Sequence, residues 1–348
     1  MITVIIPAHN EADALPTTIA SLRAQTVSPD RVLVVSDNST DQTVEVARSL
    51  GVDVMETIGN TARKAGALNQ ALATLDRTGL VLVMDADTEL VPTWIETALS
   101  ELDDPTVGGV GAVFHGGEPD GYLQLCQKLE WERYAEQIDR TGKVFVLSGT
   151  AALIRWEALE DVRHRFGHWY DTATITEDMK ITLALKECGW TLRSPVACKT
   201  ITEMMPTPRM LFLQRRRWYL GALQNVMDMG FTRVTAPYWG QQVMLAVSVL
   251  LLWTLIVATA VSVAINGWQA PQLFWLAVGG VFVIERVLTI WDQPVRYRVF
   301  AALIIPELVY SLLLQASYVA AVWQKLTGSA GSWHHVETPQ KEAPDVRI

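Results

Sequence analysis

Apolar positions change their rhythm twice along this chain. In the first part, short β-branched runs alternate with segments of helical spacing. Residues 2–6 end at Pro7, Arg31–Ser36 ends at the polar turn Asp37-Asn38-Ser39-Thr40-Asp41, and Leu80–Met84 ends at Asp85-Ala86-Asp87. Each run reads as a buried strand followed by a turn. Residues 52–55 read as a further strand, with helices over 14–24, 43–50 and 62–75 between the runs. Strands that are apolar throughout, alternating with helices, predict a mostly parallel sheet covered on both faces. The rhythm then becomes mixed. A helix is expected over 123–137, a strand over 144–147 (VFVL), a helix from near Glu177 through Glu187, and a basic, aromatic helix over 210–223.

The third rhythm is continuous. No Asp, Glu, Lys or Arg stands between Arg233 and Glu285, and residues 243–265 are uncharged and mostly apolar. Such a run crosses ~30 Å of hydrocarbon at ~1.5 Å per residue. A buried core helix is the competing reading, but core helices are usually shorter and keep a polar stripe. A second apolar run covers 273–284 and extends to Trp291 if Glu285 and Arg286 face protein or the interface. A third covers 299–323 and contains Pro306 and Glu307. Two or three transmembrane helices are therefore expected within 236–325. Arg286, Arg296 and Arg298 separate runs two and three, whereas 266–272 has no basic residue. The positive-inside rule then puts the N-terminal domain and the 286–298 segment in the cytoplasm. Three full spans would leave the tail outside. A break at Pro306 and Glu307 would return it to the cytoplasm.

Composition agrees with a soluble part joined to an apolar part: mean hydropathy is positive although 19% of residues are charged. The net charge of −9 argues against a nucleic-acid partner. Cys126, Cys188 and Cys198 are an odd number without metal-ligand spacing and read as reduced thiols. The opening residues carry no basic n-region and no long apolar run, so no signal peptide is expected.

The candidate chemistry gathers at strand ends. Asp85 and Asp87 straddle one residue after a buried strand, where they can hold a divalent cation and a diphosphate. Asp37 ends the second strand, and Pro7 to Glu11 (PAHNE) follow the first. In parallel sheets the ligand lies beyond these carboxyl ends. Thr176-Glu177-Asp178 reads either as a helix N-cap with acidic residues in its first turn or as a carboxylate placed to take a hydroxyl proton. Gln214 to Trp218 (QRRRW) reads either as an interfacial helix or as arginines for phosphate beside an aromatic platform for sugar. The adjacent His334 and His335 point in different directions and make a poor metal site.

In order, VIIPAHNE, VVSDNSTDQT, RKAGALNQAL, MDAD, SGTAALIR, TED and QRRRW span roughly residues 2–218. Together they resemble the family 2 inverting glycosyltransferases, in particular the membrane-embedded branch with cellulose, chitin, hyaluronan and poly-N-acetylglucosamine synthases. The resemblance implies an α/β fold with a GT-A type nucleotide-sugar-binding domain over 1–205 and interfacial helices with QRRRW over 206–235. Transmembrane helices follow over 236–325, and a polar tail over 326–348 contains a Trp-x-x-Thr-like gating segment at 333–338. It implies Pro7, Glu11 and Asp37 around the nucleoside, although the family often has two acids where this chain has Ser36-Asp37. Lys64, Gly66, Asn69 and Asp85 would face the rest of the donor, with Arg217 on the diphosphate. Asp87 would be the direct ligand of Mg²⁺ or Mn²⁺, beside Asp85. Asp178 matches the general base, and Ser148, Gly149, Glu177, Gln214 and Trp218 line the acceptor side. The implied activity is β-linkage formation at a membrane, processive on a glycan or, alternatively, a single addition to a lipid or protein. The implied partners are a nucleotide sugar (UDP before GDP), a glycan or lipid-linked acceptor and membrane lipids, with a homo-oligomer left open.

Overall fold

The computed structural model describes residues 1–268 and 273–328. The alternation read from the sequence becomes β1 (Ile2–Ala8), α1 (Leu15–Arg23), β2 (Arg31–Ser36), α2 (Thr43–Ser49), β3 (Asp53–Glu56), α3 (Arg63–Thr74) and β4 (Leu80–Met84). The middle of the chain adds β5 (Glu89–Leu90), α4 (Trp94–Glu101), β6 (Val107–Gly111), β7 (Val113–Gly116), α5 (Gly121–Thr141), β8 (Ala151–Arg155) and α6 (Trp156–Phe166). After these come α7 (Glu177–Glu187), β9 (Thr191–Arg193), β10 (Lys199–Thr202) and α8 (Pro208–Met229). The last described elements are α9 (Ala236–Asn266), α10 (Leu273–Leu288), α11 (Val295–Ala302) and α12 (Ile304–Thr327).

Seven strands form one sheet in the order β3-β2-β1-β4-β8-β6-β9. The first four run parallel, β8 is antiparallel to β4 and β6, and β9 is parallel to β6. The expected mostly parallel sheet is present. Every residue of β1 is buried because both sheet faces are covered. Ile5 packs with Leu68, Leu72 and Leu159 of α3 and α6, while Ile6 packs with Leu15, Ile19 and Trp94 of α1 and α4. Successive side chains on a strand point to opposite faces, so one apolar run serves two cores. Truncating Ile5 to Ala would cost about 2–5 kcal/mol. A small second sheet, β5-β10-β7, lies beside α5.

The structure corrects one predicted strand. Residues 144–147 form no ladder. Their backbone groups are satisfied by side chains instead: the Leu147 N–H donates to Thr182 Oγ1 at 2.9 Å, Phe145 O accepts from the Tyr238 hydroxyl at 2.6 Å, and Val144 O accepts from Lys186. Burial made the run apolar, and side-chain partners removed any need for a neighbouring strand. Conversely, β6 (VGGVG) carries no β-branched run to reveal it. A Cβ on Gly108 would lie 2.7 Å from Trp190 Cγ, so the glycine admits that indole.

Among the described residues, α9 and α12 are long and apolar enough to cross a membrane, whereas α10 has 16 residues. They differ in burial, with 6% of the apolar window of α9 and 28% of that of α12 covered by protein. The third apolar run breaks at Leu303, between α11 and α12, three residues before Pro306. Pro306 sits in the first turn of α12, where its missing N–H has no helical partner to lose. Glu307 is buried between Arg133 of α5, at 2.9 Å, and Arg286 of α10. The 333–338 segment, with His334 and His335, lies outside the described residues. All three cysteines are free thiols, Cys126 and Cys198 being buried.

Candidate active site

The parallel strands deliver their ends to one edge, and short polar contacts lash those ends together. The Asp37 N–H donates to Ala8 O at 2.8 Å, joining the ends of β1 and β2. Asn10, with φ 58°, turns the chain after β1 and accepts the Thr40 N–H at 2.7 Å. The Glu11 N–H donates to Thr43 Oγ1 at 2.9 Å. Pro7 lies within β1 and is buried.

Asp37 is buried, and its Oδ1 accepts from Asn38 (2.9 Å), Thr57 (2.8 Å) and Asn60 (2.7 Å). Three donors on one oxygen fix the carboxylate without a counter-ion. Asn60 is fixed in turn: its Oδ1 accepts the Ala62 N–H at 2.9 Å, and its Nδ2 also reaches Arg63 O at 2.8 Å. A Cβ on Gly66 would stand 1.9 Å from Asn60 Oδ1. Gly66 thus makes room for Asn60, which orients Asp37. Thr57 and Asn60 escaped the sequence reading; their signal was their place just after β3, the fourth strand to end at this edge.

The second half of the site converges on Gly149. Lys64, in the first turn of α3, has its Nζ 2.5 Å from Asp85 Oδ1, 3.1 Å from Glu177 Oε1 and 3.4 Å from Gly149 O. A Cβ on Gly149 would lie 3.1 Å from that Nζ, 3.5 Å from Asp178 Oδ2 and 3.6 Å from Asp85 Oδ2. Residues 85, 149 and 178 therefore meet around one small space. The loop is held by the Ser148 and Thr150 hydroxyls at 2.8 Å, by Thr150 on Thr200 at 3.1 Å, and by the Asp85 N–H on Thr150 O at 3.2 Å.

Negative charge is in excess here. Burial, then Asp87, Asp85 and Glu203, push the Glu11 carboxyl up to about 8. Burial, then Asp85 and Glu203, push Asp87 up to about 7. Burial and Glu177 raise Asp178 to about 6, against the pull of Lys64 and of the Met179 N–H, which donates to it at 2.7 Å. Burial would raise Glu177 too, but Lys64 holds it below the usual carboxylate range. Lys64 itself resists burial through Asp85 and Glu177, which keep its ammonium more basic than usual. Glu203 was not singled out in the sequence, because only the fold brings the end of β10 to this edge.

Crowded carboxylates with raised proton affinity are what a divalent cation relieves. Among the described residues no three His, Cys, Asp or Glu side chains converge as a cage. Two strand-end carboxylates with room for phosphate or water oxygens suit Mg²⁺ or Mn²⁺ better than a closed site would. Asp85 already gives Oδ1 to Lys64, whereas Asp87 Oδ1 accepts from Thr88 Oγ1 at a long 3.4 Å.

The α8 helix brings the QRRRW residues to the start of α7. Gly221 permits the approach, since a Cβ there would lie 2.3 Å from Thr176 Oγ1. Asn225 donates to Thr176 O (3.1 Å) and Oγ1 (2.9 Å). Thr176 occupies the N-cap position, but its side chain makes no capping bond, because it faces Asn225 of α8. Arg217 lies close enough to help hold Glu177 ionised. Trp218 is half-buried, with the Arg215 guanidinium carbon 4.3 Å from its ring centroid, and Gln214 Oε1 is buried. Asn69 stands apart from this group. Its amide accepts the Tyr170 N–H (3.0 Å) and donates to Tyr170 O (2.7 Å), so it orders the segment before α7.

Known proteins resemble this chain. Residues 3–163 match the family described as glycosyl transferase family 2. The chain is 26% identical over 296 residues to the β-monoglucosyldiacylglycerol synthase of Synechocystis sp., covering 80% of this chain and 60% of that protein. It is 23% identical over 352 residues to the UDP-forming cellulose synthase catalytic subunit of Pseudomonas fluorescens, covering 96% of this chain and 44% of that one. The chain thus spans about half the length of the curated relatives it matches. Among solved structures, a mannosyltransferase from Pyrobaculum calidifontis in complex with GDP-Man and Mn²⁺ superposes with a TM-score of 0.62 at 21% identity, covering 94% of this chain and 88% of that one. The family match is confined to residues 3–163, and the likeness to the solved structure shows that the chain has a GT-A type fold.

Proposed function

We propose that this chain is a family 2 glycosyltransferase that inverts the anomeric centre of a nucleoside-diphosphate sugar while passing the sugar to an acceptor hydroxyl at the cytoplasmic face of a membrane. The observation that carries the reading is the meeting of Asp85, Lys64 and Asp178 around Gly149. Asp37, held by Asn60 and Thr57, takes polar groups of the nucleoside, with Pro7 and Glu11 beside it. Asp87 and Asp85 would hold the divalent cation, which would supply positive charge against the departing diphosphate. Arg217 supplies further positive charge to the same leaving group.

Asp178 takes the acceptor proton. Its raised proton affinity fits that task, since a base is most effective when its pKa lies near the working pH. Lys64 keeps Glu177 ionised, and Glu177 in turn raises Asp178. The absence of a side chain at Gly149 leaves space for the attacking hydroxyl, Ser148 shapes that loop, and Gln214 and Trp218 contact the acceptor sugar. A single in-line displacement from an α-linked donor gives a β-linkage. The α9 helix anchors the protein, and Arg286, Arg296 and Arg298 support a cytoplasmic catalytic domain.

The QRRRW segment supports processive extension of a glycan, and a UDP-sugar donor goes with that reading. The likeness to a β-monoglucosyldiacylglycerol synthase over 80% of this chain favours a second reading, single addition to a lipid. Mass spectrometry of products from the membrane-reconstituted full chain, over a panel of UDP- and GDP-sugars, tests both. A polymer ladder supports extension, and one added sugar supports the lipid reading. No donor turnover with either Mn²⁺ or Mg²⁺ would overturn the proposal.

A further inference from the structure

The apolar helix α12 does not stand clear of the catalytic domain. Its first half lies on α5 and α8, and polar side chains fix it there. Tyr122 donates its hydroxyl to Pro306 O, Tyr310 donates its hydroxyl to Glu130, and Arg133 binds Glu307 at 2.9 Å. On α5, Tyr122, Cys126, Glu130 and Arg133 recur at helical spacing and share one face. Cys126 packs with Leu211 and Tyr310 within the same stripe. An apolar helix held by packing alone would have no need of a buried carboxylate, and an unpaired one would be strongly destabilising. Glu307, Glu130 and their partners therefore set the register of α12.

One of these contacts continues to Trp218. The Glu130 oxygen that accepts the Tyr310 hydroxyl also accepts Arg215 Nη2 at 2.9 Å. Arg215 is 4% exposed, and its guanidinium carbon stands 4.3 Å from the Trp218 ring centroid. Arg215 and Trp218 are three residues apart on α8, so the planar cation can cover the indole face. One residue on, Tyr219 meets Tyr318 of α12 edge to face at 5.5 Å. A guanidinium this buried, tied to a carboxylate on one side and a ring on the other, has little rotameric freedom, and it limits that of the indole.

We propose that Tyr310, Glu130 and Arg215 are positioning residues that fix the Trp218 ring, so that the seating of α12 sets the orientation of the acceptor platform. The inference rests on Trp218 being that platform. The sugar meets none of the three; they act through the indole. The arrangement gives the first arginine of QRRRW a part distinct from the phosphate contact assigned to Arg217. It also makes the apolar C-terminal helix an element of acceptor recognition as well as a membrane helix.

The test reads the ring directly. The full chain is labelled with 5-fluorotryptophan in phosphatidylcholine nanodiscs, and the Trp218 resonance is identified by its loss in Trp218→Phe. Tyr310→Phe and Glu130→Gln should shift or broaden that resonance while most of the others keep their positions. Arg215→Lys, which keeps the ion pair but loses the planar stack, should move it as well. If Glu130→Gln fails to fold, Tyr310→Phe, which preserves the ring packing, carries the same comparison. In parallel, transfer is measured against donor hydrolysis with UDP-glucose and GDP-mannose in Mn²⁺, using cellotetraose and dioleoylglycerol vesicles as acceptor probes. Tyr310→Phe should lower transfer relative to hydrolysis by ~5-fold, the size of one lost hydrogen bond. Added to Trp218→Ala it should lower the ratio no further, because both act through the same ring. An unmoved Trp218 resonance in all three variants, or additive losses in the double variant, overturns the positioning chain. A moved resonance with normal transfer by Trp218→Ala overturns the acceptor reading on which it rests.

Discussion

The strand ends around Asp37 and the helical face around Trp218 both immobilise polar side chains, and they do it over different distances. Asp37 is held by Asn38, Thr57 and Asn60, none more than 23 residues away. On the helical face, Arg215 reaches Glu130 across 85 residues and Tyr310 reaches it across 180. The first half is built from turns that follow buried strands, so it is as stable as the sheet. The second depends on the docking of α5, α8 and α12. The two halves should therefore fail separately, and Asp178 stands between them, at the start of a helix that α8 covers.

The sharpest break is at Asp178. Asp178→Asn should lower transfer by ~10² or more, the usual contribution of a general base, while donor binding hardly changes. In the unmodified protein, transfer should rise as pH passes about 6, where the Asp178 carboxyl loses its proton. Lost donor binding with normal turnover of what binds would move Asp178 to the strand-end half.

Asp87→Asn should abolish Mn²⁺-dependent binding of UDP or GDP, measured by calorimetry, and leave the fold intact. Unchanged turnover with Mg²⁺ or Mn²⁺ would remove Asp87 from the metal site. A smaller effect is expected one step behind Asp37. Asn60→Ala removes one of its three donors and should weaken nucleotide binding by ~5-fold. Gly66→Ala should do the same indirectly, because the new methyl displaces Asn60. Normal nucleotide affinity in both variants would detach this network from the donor.

The smallest effect is on stability. Glu11, Asp87 and Asp178 all have folded pKa values above their ordinary 4.5, 3.8 and 3.8. The folded protein thus binds more protons than the unfolded chain between those limits. Without metal, their contribution is complete below about pH 4 and is lost as pH rises through about 6, 7 and 8. The metal-free melting temperature should fall over that window, and Mn²⁺ should restore most at the alkaline end. A metal-free melting temperature that rises over the same window would contradict the crowding of carboxylates.

How far the sequence could reveal these halves follows from the same difference in distance. β1, β2 and β4 were legible because an apolar run closed by a polar turn is a local pattern. Asp37, Asp85 and Asp87 stand directly in those turns. Lys64, Asp178 and Trp218 were singled out through an ordered resemblance, and their geometry was not written in any one segment. Residues 144–147 looked like a strand because burial alone makes a run apolar, and no local signal announces that Thr182, Lys186 and Tyr238 will satisfy its backbone. Glu203 joins the acidic cluster only once β10 is placed. A break at Pro306 and Glu307 was one of two readings of the last apolar run; the run breaks at Leu303, and Pro306 fits the first turn of the next helix. Glu307, named with Pro306 in that reading, is paired with Arg133, 174 residues earlier, which no local pattern announces.

The central claim is that acceptor attack occurs in one displacement beside Gly149, with Asp178 as base and the donor diphosphate leaving on the opposite side. The anomeric configuration of the first product tests this most directly. The full chain is supplied with an α-linked nucleotide sugar and Mn²⁺, and the ¹H coupling at the anomeric carbon is read before the product can equilibrate. A β-linked product is expected, formed ~10²-fold or more slowly by Asp178→Asn. An α-linked product, or a β-linked one formed at an undiminished rate by Asp178→Asn, would contradict the account.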